Sequence, residues 1–231
     1  MQKIILSIFF LFFLTISTKA QTNNKGKFAI GVSNSMKDID DLREDFLSQI
    51  DQPSNGNSYQ FDINTSPHYY ISNRIALGLG FNSSISKDSG ETDNISFNQT
   101  FNLIQYGPYL RYLHSKSFYE IISYKIFKNM YPYIDANYNF GSATYKQELT
   151  GTDSVNDKYE LSSYAISSGL MYDFDYLRGA SSKLVKLLSY LYLDFGFSYS
   201  SLNITPKQEV DTVIYFQESG VNFRFNLGMK F

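Results

Sequence analysis

The sequence has no cysteine and no tryptophan, only two histidines, and five prolines in 231 residues. Without cysteine there is no disulfide framework, no thiolate metal site, no thiol nucleophile and no lipid attachment at an N-terminal cysteine. The 20 Lys and Arg nearly balance the 22 Asp and Glu, so no basic surface is available to recruit nucleic acid. No phosphate-cradling glycine loop, zinc signature or dinucleotide fingerprint occurs, and no cofactor is expected. Solenoid repeats and low-complexity tracts are absent as well.

Long apolar runs are also missing, with one exception. A basic start at Lys3 leads into an apolar run from Ile4 to Ile16 and then Thr18-Lys19-Ala20. This run is shorter than the ~20 residues of a spanning helix and ends in small residues. We read residues 1–20 as a secretory signal peptide cut before Gln21, and residues 21–231 as one domain. Cleavage removes Lys3 and Lys19 and no acid, so the mature net charge becomes about −4. With no later segment able to span as a helix, membrane residence requires a closed barrel.

What the chain does have is 20 Tyr, 20 Phe and a two-residue period. In the last segment Val221, Phe223, Phe225, Leu227, Met229 and Phe231 alternate with Gly220, Asn222, Arg224, Asn226, Gly228 and Lys230. The same alternation sets Ile75, Leu77, Leu79 and Phe81 against Ala76, Gly78, Gly80 and Asn82, and Leu191, Leu193, Phe195, Phe197 and Tyr199 against Tyr192, Asp194, Gly196 and Ser198. Weaker versions lie at Phe28–Val32 and Tyr59–Ile71, and further strands are expected over about 95–113, 131–145 and 159–173. The fourth strand changes its apolar register near Ile104–Tyr106, where a bulge is expected. The count is eight, with both ends on the periplasmic side. Residues 36–57, 87–94, 146–158 and 205–218 become outer loops, and 72–74, 114–130 and 174–189 inner turns.

Alternation alone does not say which face is inside: a lipocalin or a β-sandwich has the same period. Volume decides between them. Eight strands enclose a space that side chains just fill, and four to six large apolar residues per strand do not fit there. The expected fold is an all-β, antiparallel up-and-down transmembrane β-barrel with lipid outside and a small, polar interior. Aromatics at the strand ends predict two interfacial girdles: Tyr69, Tyr70, Tyr112, Tyr131, Tyr133, Tyr172 and Tyr190 low, and Tyr59, Phe97, Tyr145, Tyr159 and Tyr199 high.

The apolar tail ending at Phe231 resembles the C-terminal signal recognised by the outer-membrane assembly machinery. Ser66-Pro67-His68-Tyr69-Tyr70-Ile71-Ser72-Asn73-Arg74-Ile75-Ala76-Leu77-Gly78-Leu79-Gly80-Phe81 resembles the strand-turn-strand of the small OmpA/OmpX-like "porin family" outer-membrane barrels. That resemblance implies a Gram-negative outer-membrane location, lipid and the assembly machinery as partners, and an extracellular or envelope protein partner of unknown identity. The second and third inner turns depart from the family pattern by their length. Residues 182–191 and 118–126 have apolar groups at helical spacing, which suggests short amphipathic helices at the inner interface with Lys116, Lys125, Lys128, Lys183 and Lys186 near head groups. Strand extension is the competing reading, and the stronger one for the first segment.

Inward charges form the candidate site. Asp62, Arg111, Asp135, Asp194 and Arg224 face the interior, and Arg111 with Asp135 and Asp194 with Arg224 are expected pairs, because an unpaired charge in a narrow barrel is costly. A gated ion path is the functional alternative to such a structural plug. In the first outer loop, Ile39, Leu42, Phe46, Leu47 and Ile50 fall at helical spacing while Asp38, Asp40, Asp41, Glu44 and Asp45 take the other positions, which predicts an acidic rim helix from Ser35 to Pro53. Such a helix either caps the barrel mouth or binds a partner or divalent cations, although the loop lacks the glycine and terminal Glu of a dedicated calcium site. Lipid-modifying enzymes and proteases that share this fold commonly use an outer-rim histidine. His68 and His114 fall at the inner end, and the His114, Ser115, Glu120 grouping does not read as a triad. The expectation is a non-enzymatic barrel in surface interaction or envelope integrity, with a narrow channel and a lipid-modifying enzyme as alternatives.

Overall fold

The computed structural model describes residues 24–33, 57–92, 95–122, 124, 127–149, 154–207 and 216–231. Nine strands make eight staves: β1 (Phe28–Ser33), β2 (Asn57–Thr65), β3 (His68–Tyr70), β4 (Ile75–Thr92), β5 (Ile95–Leu113), β6 (Met130–Leu149), β7 (Val155–Asp173), β8 (Leu191–Pro206) and β9 (Phe216–Lys230). Each pairs antiparallel with its neighbour, and β1 pairs with β9 from Ala29↔Lys230 to Ser33↔Asn226, closing an eight-stranded barrel. β2 and β3 are one stave broken at Ser66-Pro67. Proline cannot donate to the ladder, but its carbonyl still accepts from Leu79 N at 3.0 Å. The register against β4 runs through the break unchanged, from Thr65↔Phe81 to His68↔Gly78.

The staves are taller than their sequence pattern suggests. β4 and β5 pair up to Thr92↔Ile95, and β6 and β7 up to Gln147↔Val155, so most of the expected outer loops at 87–94 and 146–158 are sheet. The expected bulge in the fourth strand does not exist either: β5 keeps one register against β4 throughout, and its odd residues from Phe97 to Leu113 all face inward. What changes near Ile104 is chemistry, not geometry.

Below that level the wall is apolar outside and polar inside. Ile104, Tyr106 and Leu110 point out while Gln105 and Arg111 point in. Above it the order inverts, with Ser96 and Asn98 exposed and Phe97, Phe101 and Leu103 buried. The same inversion falls between Phe140 and Ser142 on β6, between Tyr164 and Ser162 on β7, and between Tyr199 and Asn203 on β8. A sliding apolar/polar pattern along one unbroken strand looks like a register slip when only the sequence is read. In the upper zone Phe101, Leu103, Ala143, Tyr145, Tyr159, Leu161, Leu202 and Ile204 form a buried apolar core.

Several girdle assignments therefore change. Phe97, Tyr145 and Tyr159 are buried in the upper interior, and Tyr70, Tyr131 and Tyr133 in the lower one. The outward rings at the upper edge are Tyr106 against Phe140 (4.7 Å between centroids) and Tyr164 against the expected Tyr199 (6.2 Å). At the lower edge Tyr172 packs on Phe174 and Tyr176, and Tyr190 stacks on Phe231. The Tyr59 side chain lies outside the described residues.

Both long lower turns contain helix. α1 (Phe118–Ile122) begins with a capping contact from Ser117 N to Glu120 Oε2 at 3.2 Å. A 3₁₀ turn (Asp175–Gly179) and α2 (Lys183–Leu188) fill the other. Helix, rather than extended strand, therefore occupies the start of the first turn.

Candidate functional site

The interior is built in layers, and alternation puts each layer there: every second residue of a stave must point in. At the lower end Lys230 Nζ donates to Asp173 Oδ2 in a buried ion pair that ties the last strand to β7. Lys27, 3.8 Å from Asp175, and Arg178, 2.5 Å from the same carboxylate, continue this latch to the chain start and the 3₁₀ turn. Partial burial and then the Lys230 ammonium lower the Lys27 pKa, while Asp175 opposes them. Neither Lys230 nor Asp173 was singled out from the sequence, although both have the inward parity of their strands.

Above the latch sits a layer of Tyr70, Leu113, Tyr131, Tyr133, Met171 and Tyr192. The charge network rests on it. Arg111 is fully buried and donates from Nε and Nη2 to the two oxygens of Asp135 at 2.8 and 2.9 Å, the two residues standing directly opposite in the β5–β6 register. Its Nη2 also donates to Asp194 Oδ2 at 2.5 Å, across the lumen on β8. The guanidinium lies over the Tyr133 ring at 4.8 Å and near that of Tyr192 at 5.6 Å, a cation–π setting.

The expected Asp194–Arg224 pair does not form. Asn226 stands opposite Asp194 and donates to its Oδ2 at 2.7 Å. Arg224 faces Gly196 instead, and it reaches across to Asp135 Oδ2 (2.9 Å) and Ser167 Oγ (3.0 Å). Two guanidinium groups and two carboxylates thus form one neutral cluster with Asp135 shared. Which carboxylate meets which cation depends on side chains crossing the lumen between non-adjacent strands, a relation invisible to strand order.

Asp62 stands on β2 opposite Ser84; its side chain lies outside the described residues. So do Asp38, Asp40, Asp41, Glu44 and Asp45 of the expected acidic helix. In the last strand Val221, Phe223, Phe225, Leu227 and Phe231 are exposed on the outer wall, and Met229 is partly so. Phe231 also closes the barrel, its N donating to Phe28 O at 2.8 Å.

A continuous water channel would leave its lining side chains exposed. Here Arg111, Asp194, Tyr70, Tyr133 and Tyr192 are at 0% and the upper Leu103, Tyr159 and Ile204 at no more than 1%. The barrel is filled at two levels, with small polar groups such as the Ser167–Ser198 pair (3.0 Å) between them.

The two histidines are separate from each other in the structure's hydrogen-bond pattern. His68 is buried in the lower interior with Nδ1 2.7 Å from Ser66 O, and His114 turns Nδ1 toward the Lys116 backbone while Glu120 caps α1. Among the described residues no group of three His, Cys, Asp or Glu side chains is placed to hold a metal ion.

No protein-family model matches the chain, and no curated protein sequence matches it. Among solved structures it is similar to the N-terminal β-barrel domain of Pseudomonas aeruginosa OprF (11% identity, TM-score 0.35, 90% of this chain and 98% of that one). It is also similar to Neisserial surface protein A, NspA (13%, 0.33, 90% and 98%), and to the outer membrane protein OprG of P. aeruginosa (12%, 0.39, 92% and 99%).

Proposed function

We propose that the chain is an integral outer-membrane β-barrel without enzymatic activity and without a conducting lumen, acting in surface interaction or envelope integrity. The observation that carries this reading is the belt. Leu79 is 61% exposed, Phe197 64% and Phe223 60%, on an outer wall that is apolar across the lower part of the staves. From Pro132 to Phe140 on β6, or Ile75 to Ile85 on β4, a tilted strand rises about 20–25 Å, which matches the apolar band of a membrane barrel. A soluble barrel has no reason to present such a surface to water. The belt stops at an aromatic edge, and above it the polar-outside, apolar-inside order of a water-soluble protein takes over.

In this reading residues 1–20 direct export, the two chain ends are periplasmic, and the upper zone stands about 15–20 Å above the lipid as a stiff hydrophilic collar. The outer-facing tail Val221 to Phe231 serves as the assembly signal. Deleting Phe231 is expected to lower the yield of membrane-assembled protein in cells, followed as the fraction migrating in the compact, heat-sensitive form. Unchanged assembly would count against that role.

The closed interior has its own test. The refolded mature chain is expected to migrate compactly in detergent until heated and to give no discrete current steps in planar bilayers. Reproducible steps from the pure protein would replace the plug by a channel, and absence of a heat-dependent shift would remove the membrane barrel.

A further inference from the structure

The α2 segment carries an apolar face that no other described part of the barrel covers. Leu184, Leu187 and Leu188 are 69%, 55% and 39% exposed, and at helical spacing they share one side of α2. Val185, on another side, is partly buried, Lys183 is exposed on the flank of the leucine face, and Lys186 is exposed on the opposite side. Three solvated leucines on two turns of helix run against ordinary burial. Their surroundings name the occupant: α2 is held between the 3₁₀ turn and the start of β8, where Tyr176 is 55% exposed and Phe231, 61% exposed, stacks on Tyr190. Leu191, three residues after α2, opens β8 at the lower end of the staves, opposite Met229 of the belt.

We propose that α2 is an interfacial foot: its leucines enter the periplasmic leaflet, and Lys183 on their flank meets the phosphates of anionic phospholipids there. This rests on the membrane reading above. A helix of this kind buries its apolar face about 5–10 Å into the boundary between head groups and acyl chains, and each nearby lysine is attracted by an anionic surface. The foot would fix the height and rotation of the barrel in the leaflet, which the smooth belt does not.

The absence of tryptophan makes the test clean. A single Leu187→Trp is introduced into the full mature chain, with Leu184→Trp as a second reporter should the first not assemble, and Leu79→Trp as the belt control. Each is reconstituted in vesicles that contain phosphatidylglycerol and phospholipids brominated at defined depths. The foot predicts blue-shifted emission from Leu187→Trp, quenched most by bromine near the head groups, while Leu79→Trp is quenched most by bromine deep in the chains. Quenched Leu79→Trp with water-like, unquenched Leu187→Trp overturns the foot and leaves the barrel standing; two unquenched reporters overturn the membrane reading itself. Blue-shifted emission without bromine quenching means that a second copy or another protein covers α2, which also overturns the proposal. In Lys183→Gln the extra quenching seen with phosphatidylglycerol over neutral lipid is expected to disappear; if it persists, the phosphate contact is wrong.

Discussion

Replacing Leu79 with arginine is expected, on the proposed membrane reading, to destabilise the bilayer-inserted barrel by about 2–4 kcal/mol, because the side chain stands mid-belt where it would face hydrocarbon. Leu79, at 61% exposure, is more exposed than covered by the protein, so its surroundings set the cost of a charge there. The matching change in the upper zone separates lipid exposure from mere exposure. Asn98 also faces out, and it stands opposite Ser89 and Glu148. Asn98→Arg is expected to change stability by no more than about 0.5 kcal/mol. Urea titration of each variant in lipid vesicles, with the heat-dependent band shift as readout, measures both. Equal effects would mean that the two zones share one solvent, and the membrane boundary drawn at Phe140, Tyr164 and Tyr199 would be lost.

Removing Arg111 is expected to have an effect as large, for the opposite reason. Arg111→Met leaves the Asp194 carboxylate fully buried with only Asn226 to answer it, while Asp135 keeps Arg224. Breaking a buried ion pair from one side costs roughly 3–5 kcal/mol, because the abandoned charge stays desolvated. Adding Asp194→Asn to the first change removes that charge and leaves a neutral Arg224–Asp135 pair. The double variant is therefore expected to be more stable than Arg111→Met alone, with a coupling well above the ~0.5 kcal/mol scatter of independent sites. Additive losses would show that Asp194 does not depend on Arg111, and the network would reduce to two separate pairs. Neither variant is expected to open a pore by itself, since Tyr70, Tyr133 and Tyr192 remain below the network and the apolar core remains above it.

Several features follow from local sequence alone. Strict alternation from Val221 to Phe231, from Ile75 to Asn82 and from Leu191 to Tyr199 dictates strand and face together, because side chains of a strand alternate whatever surrounds it. The mismatch between so much large apolar surface and so small an interior then dictates which face turns outward. Arg111 opposite Asp135 was legible because adjacent antiparallel strands put neighbours in register. The lengths of the lower turns, with apolar residues at helical spacing, were enough to suggest α2.

Tertiary structure decided the rest, and each case has the same cause: contact between parts that are not neighbours in the chain. Phe97, Tyr145 and Tyr159 look like girdle aromatics from their place near strand ends, yet all three are buried inside, because the staves continue beyond the belt and enclose a second, apolar core. The polarity inversion near Ile104 resembles a bulge until β4 and β6 are seen to hold β5 in one register. Arg224 turns from Asp194 to Asp135 because Arg111, from across the lumen, and Asn226 already occupy Asp194. Local periodicity specifies the wall of this barrel, and only closure of β1 on β9 specifies what the wall contains.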